Sequence, residues 1–180
     1  MNIKKFNHYL QFALFSILVL TSAVADAVTK EQAVKAGLIY NITKFVIWPT
    51  HAYHDEKFNL CVIGDDNLSG ALEALYDKLA DGRPIVLRRT MTKSNFKECQ
   101  IAFVASKGVK NAKQILKELK KSPILTVSDR KDFIKQGGMV GLVRDGNRVG
   151  FEVDFAAVKA SGLQMSSQLL KLAKQVKGLK

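Results

Sequence analysis

Short apolar runs alternate along the chain with amphipathic stretches, and the alternation sets most of the expected elements. Val34, Leu38, Ile42, Phe45 and Val46 recur at helical spacing, behind Thr29-Lys30-Glu31-Gln32, which has the form of a capping box. This predicts a first helix over residues 30–47. Pro49 ends it, because the residue before a proline is pushed out of the helical region. FNLCVI (58–63) reads as a compact buried strand, followed by a turn at Gly64-Asp65-Asp66-Asn67, a second helix over 69–79, a turn at Asp81-Gly82 and a strand over 84–89. QIAFVA (100–105) reads as a fully buried strand, 109–121 as a helix and 123–127 as the next strand, with Asp129 capping a short helix over 131–136.

The stretch 139–153, MVGLVRDGNRVGFEV, predicts a hairpin. A two-residue turn centred on Asp145-Gly146 pairs Leu142 with Val149 and Val140 with Phe151, so that apolar residues share a face. Centring the turn on Gly146-Asn147 preserves the same faces. Asp154 then caps a helix to about Ala160, Gly162 interrupts it, and Ser166 or Ser167 starts a last helix. Leu169, Leu170, Ala173 and Val176 lie on the buried side of that last helix. Buried strands alternating with amphipathic helices predict an α/β sandwich around a mainly parallel sheet, with the hairpin as an antiparallel edge.

The first residues fall outside this pattern. Lys4 and Lys5 precede the apolar run FALFSILVL (12–20), and Ala23-Val24-Ala25 and Ala25-Asp26-Ala27 both fit a small-x-small cleavage site. The run is well short of the roughly 20 residues that a membrane span needs. We read a cleaved secretory signal over residues 1–25, cut after 25 or 27, with a retained anchor as the alternative. One α/β domain over 28–180 follows. No second long apolar run predicts membrane insertion.

Export changes how the charge is read. The formal charge of +12 falls to +10 without residues 1–25, which carry two lysines and no acids. For an exported chain this basicity favours a membrane surface, an acidic envelope polymer or an acidic protein face over nucleic acid. The bland alternative is the high pI common in envelope proteins. Cys61 and Cys99, the only cysteines, favour a disulfide in an oxidising compartment. Two free thiols or a metal pair are the alternatives, and two thiolates alone make a poor zinc site.

Candidate chemistry is sparse. Asp65 and Asp66 stand where an open α/β sheet places acidic site residues, but turn geometry and a helix cap explain them. His51 and His54, beside Asp55 and Glu56, offer metal ligands without a third fixed partner, and a solvated loop explains them fully. No nucleophile elbow or phosphate-loop pattern occurs, and nothing calls for a cofactor. The stronger feature is a basic stripe. Lys110, Lys113, Lys117 and Lys120 advance by three or four residues opposite Ala112, Ile115, Leu116 and Leu119. It reads as a docking face for an acidic partner or anionic lipid, or as an ordinary solvated helix face.

Over about residues 31–177 the chain resembles the YfiR family of exported regulators. The carriers, in order, are KAGLIYNITKFVIWP, NLCVIGDDNLSGAL, CQIAFVAS, SPILTVSD, GGMVGLVRDGNRVGFEVD and ASGLQMSSQLLKLAKQV. The resemblance implies a non-catalytic periplasmic α/β protein that binds the periplasmic sensor domain of an inner-membrane diguanylate cyclase, holds it inactive and so lowers cyclic di-GMP. It implies homodimerisation, and a disulfide joining Cys61 to Cys99. The family's second cysteine pair has no counterpart near the 137–145 hairpin. A periplasmic small-molecule or polymer binder, using the strand-end crevice near Gly64–Asn67, is the alternative.

Tyr40, Phe45 and Trp48 have two readings. Trp48 packs over the sheet edge while Pro49 fixes the exit of the helix, or part of this apolar excess is exposed as an interface with a partner or second copy.

Overall fold

The computed structural model describes residues 28–53, 56–65, 68–90 and 93–179. The expected signal segment, His54, Asp55, Asp66 and Asn67 lie outside them. Helix α1 (Lys30–Thr43) opens on the expected capping box: Thr29 Oγ1 accepts from the Gln32 N–H, and the Gln32 side chain accepts from the Thr29 N–H. It ends four residues earlier than predicted. Thr43 turns its hydroxyl back onto the Tyr40 carbonyl at 2.7 Å, Lys44 and Phe45 close tight turns onto Asn41 and Ile42, and β-branched Val46 and Ile47 form strand β1 instead.

The remaining elements are β2 (Phe58–Ile63), α2 (Ser69–Glu73), β3 (Leu79–Ala80), β4 (Arg83–Thr90), β5 (Ile101–Val104), α3 (Ala112–Leu119), β6 (Leu125–Ser128), β7 (Val140–Asp145), β8 (Arg148–Asp154), α4 (Phe155–Ala160), β9 (Gln164–Met165), α5 (Ser167–Leu172) and β10 (Gln175–Lys177). Short 3-10 segments cover Thr50–Ala52, Lys93–Glu98 and Phe133–Gln136. Eight strands form one sheet in the order β10-β8-β7-β6-β5-β2-β4-β3, and β1 pairs antiparallel with β9 beside it. The sheet is mostly parallel; only β7–β8 and β3–β4 run antiparallel. The expected α/β fold around a mainly parallel sheet is therefore present.

Several details differ from the sequence pattern. The second helix is one turn long, and its predicted end supplies turns and β3 instead. The 140–153 hairpin turns at Gly146-Asn147, pairing Asp145 with Arg148, Leu142 with Phe151 and Val140 with Val153. Gly146, at φ +59°, stands at the first central position, where a II′ turn needs a positive φ. The hairpin is not the sheet edge, because the last helix stops at Leu172 and β10 adds parallel to β8. Val176 consequently lies on a strand. Asp129 caps nothing: it is held by Lys35, and the 3-10 turn that follows starts after Asp132.

Strand alternation sorts the core into two clusters on opposite faces of the sheet. Leu60, Val62, Ile101 and Phe103 point to the face covered by α1 and α2, with Ile39, Ile42, Leu68 and Leu72. Cys61, Ile63, Ala102 and Val104 point to the other, under Leu116 and Leu119 of α3.

Candidate functional site

Helix α3 is amphipathic, and burial decides where its lysines go. Ala112, Leu116 and Leu119, at spacings of four and three, are buried against Phe96, Ile124, Phe133 and the two cysteines. Lys113, Lys117 and Lys120 are forced outward and exposed. Helix α4 stands opposite. It is started by Asp154, whose Oδ1 accepts from the Ala157 N–H at 3.0 Å while Oδ2 receives Lys177 Nζ at 2.9 Å. Between the two helices runs an open groove of about 550 Å³, walled by Lys113, Lys117, Lys120 and Lys177 and floored by Leu116 and the alanines of α4.

The expected four-lysine stripe is divided by this geometry. Lys110 precedes the helix and lines a second hollow with Asn111, Lys113, Gln114, Arg130 and Gln136. Of the four lysines only Lys113 borders both. The groove also draws in residues that periodicity could not supply. Lys177 comes from β10, which the sequence pattern places at the end of a helix, and Ala156, Ala157 and Ala160 have no side-chain chemistry to single them out.

The aromatic set lies on the other face of the sheet. Tyr40 is half-buried, with Lys44 Nζ 4.4 Å and Lys78 Nζ 5.7 Å from its ring centroid. Phe45 is half-buried against the first core cluster. Trp48 takes the packing role: it is 4% exposed, meets Phe58 edge-on at 5.0 Å, and donates Nε1–H to the Gln100 carbonyl at 3.0 Å.

Gln100, which nothing in the pattern singles out, is fully buried and ties three segments together. Its Oε1 accepts from the Asn59 N–H and its Nε2 donates to the Ala52 carbonyl, both at 2.6 Å. Its own carbonyl receives Trp48 and the Leu125 N–H. Beside it the Cys61–Cys99 disulfide joins β2 to the entry of β5, with Cα atoms 5.8 Å apart and both residues 1% exposed.

Near Gly64 the strand end is closely packed. The Asp65 N–H donates to the Lys107 carbonyl at 3.2 Å, and a Cβ on Gly64 would lie 2.4 Å from Val109. His51 is exposed on its 3-10 turn, and among the described residues no three His, Cys, Asp or Glu side chains gather to hold a metal ion.

One charged cluster was not foreseen. Lys35 on α1 bridges Glu31 and Asp129, each at 3.0 Å, and Arg144 on β7 also pairs with Glu31. Hydrogen bonds from Lys35 and then Arg144 hold the Glu31 carboxyl below its ordinary value. Burial alone would lower the Lys35 ammonium, but hydrogen bonds to Asp129 and Glu31 outweigh it and raise its pKa.

These features define a disulfide-braced α/β domain that carries a basic groove between α3 and α4. The family model described as YfiR/HmsC-like (DUF4154) matches residues 32–174, and the chain belongs to that family. No described helix is long and apolar enough to cross a membrane.

Proposed function

We propose that the protein is a non-catalytic periplasmic regulator, exported through a cleaved N-terminal signal. It binds the periplasmic sensor domain of an inner-membrane diguanylate cyclase and holds that enzyme inactive. Membership of the YfiR/HmsC-like family carries the reading, and a basic surface suited to an acidic protein face supports it. Repression follows by population shift: a protein that binds the inactive sensor better than the active one lowers cyclase output in proportion to that preference. No cofactor enters this function.

The contact surfaces belonging to this proposal are the lysines of the 110–117 segment and the half-buried Tyr40 and Phe45. They lie on opposite faces of the sheet, so one sensor domain and one second copy of the chain can be accommodated together. Sedimentation of the purified mature protein is expected to show a homodimer. Deleting the gene in its native host should raise intracellular cyclic di-GMP, and the exported protein supplied in trans should bring it back. Unchanged cyclic di-GMP in the deletion strain would contradict the proposal.

A further inference from the structure

We infer that the groove between α3 and α4 receives an acidic segment of the protein partner, a proposal that rests on the binding reading above and locates its contact. Lys113, Lys117 and Lys120 stand on one wall and Lys177 on the other. The one carboxylate in the lining, Asp154, is 5% exposed and already engaged by Lys177 and by the α4 N-terminus. The groove therefore presents a surplus of positive charge with no free acid to offset it. Lys113 and Lys117 of α3 and Lys120 at its C-cap span about 10 Å along the helix axis, room for two or three carboxylates of one chain segment. Leu116 and the small alanines of α4 add apolar lining that short apolar side chains can meet.

The same features separate a protein segment from the other anionic partners. A membrane-binding face needs large apolar side chains that protrude beside its lysines. None of the exposed large apolar residues among those described, Val28, Val34, Ile47, Tyr76, Leu79, Leu172 and Leu179, lines the groove, and only Leu179, which follows Gly178, adjoins the lining in the chain. Single-stranded nucleic acid is held by exposed aromatic rings between cations, and the lining has no aromatic residue.

The test is capture from solubilised inner membranes by three tagged baits: the wild type, Lys117→Glu with Lys120→Glu, and a charge-matched control, Lys30→Glu with Lys171→Glu, whose positions lie outside the groove. All four side chains are exposed, and matching melting curves confirm that the folds are intact. Recovered diguanylate cyclase is counted by mass spectrometry, and carbodiimide treatment maps which lysines touch partner carboxylates. We expect the groove variant to recover about tenfold less cyclase than the control, with cross-links from Lys113, Lys117, Lys120 or Lys177 to Asp or Glu of the cyclase. Equal recovery by the groove variant, or cross-links confined to other lysines, overturns the groove while leaving the regulatory reading intact. Wild-type bait that recovers no cyclase overturns that reading and this proposal with it. Loss of binding to phosphatidylglycerol vesicles in the groove variant, without protein cross-links, assigns the groove to lipid and also overturns the proposal.

Discussion

Gln100 fixes the relation of the 3-10 turn to the start of β2 through its side-chain amide, and its main-chain carbonyl receives Trp48 at the exit of α1. Gln100→Ala strands the Asn59 N–H and the Ala52 carbonyl without partners. It should cost about 3 kcal/mol, or roughly 10 °C in Tm; a loss under about 2 °C would deny the amide this role. The disulfide acts differently, through the unfolded chain. Closing a loop of 38 residues is worth about 4 kcal/mol on the chain-entropy model. Cys61→Ser is therefore expected to lower Tm by about 10 °C, and intact mass of exported protein should show no free thiol. Glu31 adds a pH term. Its carboxyl is held below its ordinary value of 4.5, so its contribution is complete above that value and is lost as pH falls through the lower, folded-state value. The acid limb of a pH–stability curve should flatten in Glu31→Gln, modestly, because the group is partly exposed; an unaltered limb would show that the Lys35 and Arg144 contacts do not hold in solution. At this scale the packing of Trp48 was one of its two readings, and the cysteine pair was readable from the sequence. Gln100 and the Lys35–Asp129 contact were not, because both join residues far apart in the chain through side chains with no periodic signature.

At the scale of elements, strands with continuous apolar runs were the easiest to read. FNLCVI and QIAFVA are buried on both faces, and their composition shows it. Helix ends were read less well. The amphipathic pattern of α1 runs on through Phe45 and Val46, yet β-branched Thr43, Val46 and Ile47 tip that stretch into β1, where Val46 finds Met165. The hairpin register slipped by two residues because both turn centres keep the same faces; only the φ of Gly146 separates them. The largest miss was β10. Its alternation is too short to stand out, and pairing with β8 determines it: the Lys174 N–H donates to Phe151 at 2.8 Å, and Lys177 reaches Asp154. Ending the chain after Ala173 should expose the edge of β8 and leave Asp154 without its lysine. We expect a lower Tm and concentration-dependent association, followed by light scattering. A truncated protein that stays monomeric and equally stable would show that β10 adds nothing.

The whole molecule places two kinds of surface on the two faces of one sheet. Tyr40 of α1 and Phe45 just beyond it lie on one side, and the lysines of α3 on the other. The sequence made both visible as candidate sites but could not show that they are separate, since sidedness is set by strand register and by which helix covers which face. Nor could it form the groove, whose walls come from α3, α4 and β10 together. Net positive charge of this size makes association sensitive to salt. Partner binding through the groove should weaken several-fold between about 50 and 300 mM NaCl, whereas contact through Tyr40 and Phe45 should change little. The most direct measurement of the account is capture of partners by the tagged, exported protein from solubilised membranes at near-native expression. An inner-membrane diguanylate cyclase with a periplasmic sensor domain is expected among the proteins retained. A clean preparation that repeatedly retains no cyclase would contradict it.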